Sequence, residues 1–347
     1  MTDFTHFQRL TSAPRSLLGA SVEDFLRQLE GPTAIAVPGR DQSRRRAAVT
    51  LLHGNEPSGA RAIRSWLLEH AEPATDALLV IVSVDAAREA PWFSHRMLRG
   101  RPDRNRCFGL AAGDPRAGSS DARLAGALLE LLGERPCEAI VDLHNNTGRS
   151  PAYGVGTRLG TPQLALTSLF ADRYMLSDLR LGTLMEALED LTPSVTIECG
   201  RAGDPLADAV ALAGLDRFLG RPSLDLDAEV HPEIGVLDAP LRVTLRPGAR
   251  LAFGTRADAD ADLTLLDRVD RHNFELVPAG TTLGWVSTAG TLPLSAVGAD
   301  DVDVASELFD VSGHEVLTRR AIVPIMMTLD PVVATTDCLF YAMQPLR

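Results

Sequence analysis

Lysine is missing from this sequence: all 34 basic residues among its 347 are arginine. A codon-biased genome is the simplest reason, but the consequence is chemical. Schiff-base and lysine general-base mechanisms are excluded, so a fixed positive charge in any site must come from arginine or a metal. Positive charge is also in deficit overall, with a net charge of −12 that argues against binding a nucleic-acid backbone. The four cysteines, Cys107, Cys137, Cys199 and Cys338, form no C-x-x-C pair. A disulfide framework and a thiolate zinc ribbon are therefore not expected. No apolar run approaches the ~18 residues of a membrane span. The N-terminal "MTDFTHFQRLTSAPRSLLGA" lacks a basic segment leading into an apolar one. No signal peptide and no membrane association are expected, and a cytoplasmic location is.

What is present is ordinary for a globular chain: 45% hydrophobic and 23% charged residues. The length suits two domains. Up to about residue 222, strand-like and helix-like segments alternate. "TAIAVPG" and "RAAVTLLHG" predict strands separated by a charged turn, and "GARAIRSWLLEHA" predicts a helix. The strand "ALLVIVSVD", the helix "ARLAGALLELLGE" and the strand "CEAIVDLHNN" follow. "PQLALTSLFADRYM" and "LGTLMEALEDL" predict helices, and "SVTIECG" a strand. Such interleaving implies an α/β fold with a mixed sheet covered on both faces. Residues 223–347 read instead as short strands broken by Gly and Pro, a smaller β-rich C-terminal domain. The acidic "TRADADADLTLLDRVDRHN" within it reads as a solvated face.

Four polar clusters lie at predicted strand ends or in loops, where α/β sheets place ligands. His53 and Glu56 in "LLHGNEPSG" offer metal-ligand chemistry, although a polar turn would use the same residues. In "IVDLHNNTG", His144 follows Asp142 by two, so both point to one side of a strand. The carboxylate then either fixes the ring's second N–H beside a metal or the pair simply caps the strand. "DRNRCFG" carries Asn105 and Arg106, with Arg96 upstream; the pattern suits a carboxylate clamp or an arginine-rich surface loop. Glu198 ends the apolar "SVTIECG", where burial would raise its pKa into the range of a general base.

Taken in order, these motifs resemble the succinylglutamate desuccinylase/aspartoacylase branch of the zinc carboxypeptidase superfamily. "HGNEPSG" looks like its H-G-N-E motif, and "DRNRCFG" its D-L-N-R-x-F segment, with Arg104 at the usual apolar position. "VDLHNNTG" looks like its D-L-H-N motif and "IECG" its I-E-x-G strand. The resemblance spans roughly residues 45–205 and implies a zinc-carboxypeptidase-like mixed central sheet flanked by helices. It further implies one zinc ion held by His53, Glu56 and His144, with Asp142 behind the second histidine. Glu198 would be the general base that activates zinc-bound water and then protonates the leaving amine. Asn105 and Arg106 would hold a substrate carboxylate, and Arg96, in a loop it shares with Arg99 and Arg101, would polarise the scissile carbonyl.

The activity so implied is a zinc-dependent amidohydrolase, a deacylase of small carboxylate-bearing N-acyl amino acids. The alternatives are a metallocarboxypeptidase acting on peptide C-termini and a zinc-binding protein without catalysis. A departure bears on specificity: members that cleave acidic N-acyl amino acids use an arginine and a tyrosine shortly before the catalytic glutamate. The segment "LMEALEDLTP" has neither, leaving Tyr174, Arg180 and Tyr341 as candidates. A homo-oligomer is compatible with the composition.

Overall fold

A computed structural model describes residues 4–69, 72–227 and 234–345. The chain divides into two compact units, Met1–Asn145, Ala152–Met175 and Arg180–Gly235 against Asn146–Pro151, Leu176–Leu179 and Val236–Arg347. The second unit therefore takes in two short stretches, Asn146–Pro151 and Leu176–Leu179, that lie between segments of the first.

Among the described residues the first unit holds eight strands: β1 (Gln8–Leu10), β2 (Thr33–Val37), β3 (Asp41–Thr50), β4 (Thr75–Ile81), β5 (Ala139–Asn146), β6 (Tyr153–Gly156), β7 (Arg173–Leu176) and β8 (Ser194–Arg201). Their order across the sheet is β1-β2-β4-β3-β5-β8-β6-β7. Strand β3 runs parallel to both β4 and β5, whereas β2 and β6 run antiparallel to β4 and β8. The helices are α1 (Arg15–Leu18), α2 (Val22–Gln28), α3 (Ser58–Leu68), α4 (Val84–Arg88), α5 (Ser120–Gly133), α6 (Thr161–Ser168), α7 (Leu184–Leu188) and α8 (Pro205–Gly220). No helix among the described residues is long and apolar enough to cross a membrane.

The two-residue period of β3 sorts its side chains between two layers. Ala47 and Val49 join a core with Leu124, Leu128 and Leu131 of α5 and Leu184 and Leu188 of α7. The alternate residues serve the other layer. Arg46, fully buried, donates to the carbonyls of Phe218 and Arg221 at the end of α8, and Thr50 lies under Gly59 of α3. These arginines correct one expectation: the charged "DQSRRR" is part of β3, not a turn. Backbone carbonyls and Glu138 satisfy the Arg46 guanidinium, so a charge at a core position does not end the strand. The segment "ADRYM" is likewise corrected, since α6 stops at Ser168 and β7 begins at Arg173.

In the second unit β9 (Gly235–Leu245) pairs with β13 (Leu294–Val297) and β17 (Phe340–Pro345), and β17 with β16 (Val323–Ile325). A separate sheet has the order β10-β11-β12-β15-β14, from Leu251–Gly254, Leu263–Leu266, Thr282–Val286, Glu315–Thr318 and Phe309–Ser312. Strand β11 falls inside the acidic stretch read as a solvated face, because its "LTLL" is apolar enough to enter the core. Short helices α9 (Ala305–Leu308) and α10 (Pro331–Thr336) complete the unit.

Two glycines in helices of the first unit should respond oppositely to alanine. At Gly59 a Cβ would fall 2.0 Å from Thr50 Oγ1 and 2.9 Å from Leu143 Cβ, whereas at Gly126 of α5 nothing lies within 4 Å. Gly126→Ala should stabilise by about 0.5–1 kcal/mol through helix propensity. Gly59→Ala should destabilise by about 1–3 kcal/mol through overpacking, both read from urea midpoints.

Candidate metal and catalytic site

Beyond β3 the chain turns sharply at Leu51, whose φ of 59° is a left-handed conformation that L side chains rarely adopt. The residues leading into α4 hold this turn in place. Ser83 donates its N–H to the Leu51 carbonyl (2.7 Å) and its hydroxyl to the Leu52 carbonyl (2.7 Å). Gly54 is required next, since a Cβ there would come within 2.6 Å of the Ala86 backbone. The turn delivers His53 and Glu56, both buried, beside the end of β5.

There the two imidazoles converge on one carboxylate. His53 Nδ1 is 2.8 Å from Glu56 Oε1, and His144 Nδ1 is 2.8 Å from Glu56 Oε2. Each ring's other nitrogen meets a carboxylate of its own. His144 Nε2 lies 2.8 Å from Asp142 Oδ2, and His53 Nε2 lies 3.1 Å from Asp103 Oδ1. Ligand atoms of His53, Glu56 and His144 all lie within 4.8 Å of one another, and the three could hold a metal ion. With Nε2 engaged, each histidine presents Nδ1 to the centre, the arrangement by which a carboxylate fixes a metal-binding imidazole.

Arg96 is the arginine of its loop that reaches this cluster. Its Nε lies 3.0 Å from Asp103 Oδ2 and its Nη1 3.5 Å from Glu56 Oε1. Arg101 is bonded to Asp121 instead, and Arg99 is exposed. Asn105 is buried in the turn 104–106, and its Oδ1 accepts the Leu184 N–H (3.0 Å) that opens α7. Arg106 keeps Nη1 on the Asn105 carbonyl (2.9 Å) and is partly exposed. Glu198 is 7% exposed, and its Oε2 is buried with no hydrogen-bond partner.

Two of the proposed substitutes for the missing specificity pair are engaged elsewhere in the first unit. Tyr174 is buried with its hydroxyl on the Arg158 carbonyl, and an exposed Arg180 pairs with Glu189. Tyr341 is buried in β17 of the second unit.

Two residues gain a place that the sequence did not single out. Asp103, some 50 positions from His53, orients it. Asn145 sits at a junction of three segments. Its N–H donates to Glu56 Oε2 (3.2 Å), its Oδ1 accepts the Ser58 N–H at the start of α3 (3.0 Å), and its Nδ2 donates to the Gly200 carbonyl (3.1 Å). The segments bearing Glu56, His144 and Glu198 are thereby tied by one amide. Its sequence signal was its place at the end of "DLHN", directly after His144.

Burial opposes every charge here, and pairing decides the balance. For His144 the carboxylates of Asp142 and Glu56 overcome burial and lift the imidazole well above its ordinary range. His53 is raised too, with Glu56 and Asp103 outweighing burial and the Arg96 charge. Burial would raise Glu56 and Asp103, but the histidine charges, joined at Asp103 by Arg96, hold both below the usual carboxylate range. Glu198 is the exception: burial pushes it up to about 7, against the charge of His144 and with that of Glu56.

A raised carboxyl pKa means that the folded state binds the proton more tightly than the unfolded one. Its stabilisation is full below the ordinary 4.5 and is lost as pH rises through about 7. In metal-free protein, the stability of wild type minus that of Glu198→Gln should fall over this window by something on the order of 1–3 kcal/mol. Denaturant midpoints across pH measure it, and a flat difference would contradict the assignment.

No family model and no curated protein matches the chain by sequence. Solved structures do match its fold. A succinylglutamate desuccinylase/aspartoacylase from Rhodobacter sphaeroides superposes with a TM-score of 0.57 at 18% identity, covering 90% of this chain and 88% of that one. Murine aminoacylase 3 gives 0.53 at 18% identity, over 89% and 97%. The ectoine utilization protein EutE (DoeB) from Ruegeria pomeroyi, in a product-bound structure, gives 0.55 at 18%, over 90% and 88%. The chain has the mixed α/β fold of the succinylglutamate desuccinylase/aspartoacylase structures.

Proposed function

We propose that the chain is a zinc-dependent amidohydrolase that removes the acyl group from a small, carboxylate-bearing N-acyl amino acid. The observation that carries this reading is the convergence of two carboxylate-held imidazoles on Glu56, beside a buried carboxyl with an unbonded oxygen. His53, Glu56 and His144 would hold the ion, and imidazole with carboxylate suits zinc. Three protein ligands, with a general base nearby, fit a catalytic site better than a structural one. Bound there, zinc supplies Lewis acidity for the carbonyl and makes water a nucleophile near neutral pH.

The remaining chemistry belongs to the side chains. Glu198, whose carboxyl is raised above its ordinary range by burial in the metal-free protein, would take the proton of the attacking water and return it to the departing amine nitrogen. Arg96 would donate to the oxygen that becomes negative when the carbonyl turns tetrahedral, an electrostatic role suited to its position against Glu56. Arg106 and the Asn105 amide nitrogen would hold the substrate carboxylate, since the Asn105 oxygen is committed to Leu184. The structural neighbours include desuccinylase, aspartoacylase and aminoacylase structures and do not favour the carboxypeptidase reading.

Amine release from a panel of N-acyl amino acids and short peptides tests this reading. Zinc-loaded protein should turn over small N-acyl amino acids, and Glu198→Gln should keep its zinc while losing about 10²–10⁴-fold in rate. Residue-by-residue cleavage of peptides from the carboxyl end would overturn it. Glu56→Ala and His144→Ala should lose bound zinc as well as activity. Because both imidazoles are raised in the metal-free protein, binding must displace protons, so zinc affinity should climb with pH through the neutral range. Metal titration at several pH values checks that slope.

A further inference from the structure

Arg104 stands where the resembling motif carries an apolar residue, yet its side chain is only 6% exposed. Its Nη1 and Nη2 grip the two oxygens of Asp85 (2.7 and 2.6 Å), and its Nε bonds Asp121 Oδ1 (2.8 Å). Asp121 is itself buried and also accepts from Arg101 Nε (2.7 Å). A fork held at three points in a buried setting fixes position in a way that an apolar contact cannot.

The two things it joins are the two grips on His53. On the backbone side, Ser83 holds the carbonyls of Leu51 and Leu52, and Asp85 follows two residues later in α4. On the ring side, Asp103 bonds His53 Nε2, and Arg104 is the next residue. We propose that Arg104 is a positioning residue: by tying the Asp103 turn to α4 through Asp85 and to α5 through Asp121, it sets the distance between the His53 backbone and the carboxylate that orients its ring. This rests on the reading of His53, Glu56 and His144 as metal ligands. Arg104 touches neither metal nor substrate and acts through Asp103.

The test compares Arg104→Leu, which restores the motif's apolar type, with Arg104→Lys and with Asp85→Asn/Arg104→Leu/Asp121→Asn, which removes the guanidinium together with both carboxylates it holds. The triple variant leaves no uncompensated buried carboxylate and remains informative should Arg104→Leu fail to fold. Arg135→Leu, which loses a pairing with Asp76 and bonds to the Gln42 and Arg44 carbonyls, serves as the control for a lost arginine bracing contact elsewhere. Zinc affinity, measured by chelator competition, should fall about ten-fold or more in Arg104→Leu and the triple variant. It should fall less in Arg104→Lys and stay at the wild-type value in Arg135→Leu. In metal-free protein, ¹⁵N spectra of labelled histidine should show the His53 signals moving while those of His144 stay.

Wild-type zinc affinity in the triple variant, or an equal loss in Arg135→Leu, would overturn the proposal. So would His53 signals unchanged from wild type. A wild-type protein that binds no zinc would sink the metal reading instead, and the His53 spectra would still show whether Arg104 orients that ring.

Discussion

Four carboxylates, two imidazoles and a guanidinium form a buried cluster at the ends of β3, β5 and β8, and their mutual pairing is what allows them to stay there. Removing an isolated charge from water is expensive, and breaking a buried pair leaves that cost uncompensated. Glu56 escapes it by accepting from both imidazoles, Asp103 by pairing with His53 and Arg96, and Asp142 by pairing with His144. Glu198 has no such partner for its Oε2 and rises towards neutrality. One environment thus produces carboxylates held below their usual range and a carboxyl raised above it side by side.

Holding that cluster is the work of residues with no chemistry of their own. Asn145 closes the gap between β5, the first turn of α3 and the end of β8. Helix α3 has no capping side chain of its own at Pro57, so the Asn145 oxygen satisfies an N–H that would otherwise be orphaned. The same bond serves helix and site. Behind it the Ser58 hydroxyl passes to Asp208, which is paired with Arg61, so the network runs from Glu56 out to α8.

The all-arginine basic set suits this construction. Arg46 and Arg104 are buried with their planar forks on carboxylates or carbonyls, and Arg88 reaches the carbonyls of Leu26 and Leu29. A guanidinium is weakly hydrated and spreads its donors in fixed directions, so it tolerates burial that an ammonium resists. Some of the arginine that reads in sequence as solvated charge is therefore internal bracing. That is why "DQSRRR" was legible as a turn and is in fact strand.

The sequence by itself determined the alternation of strands and helices up to about residue 222, through hydrophobic periods of two and 3.6 residues. It also nominated candidate residues for the chemistry, because H-x-x-E, D-x-H and a glutamate in an apolar strand are local patterns. Asp142 beside His144 was readable for the same reason: residues two apart in a strand share a side. Only the tertiary structure decided which arginine of the 96–101 loop meets Glu56, which carboxylate turns His53 and what Arg104 is doing in the core. Those contacts join residues 19 to 50 positions apart through loops whose paths depend on the packing around them. Local pattern names the groups; the distance between them belongs to the fold.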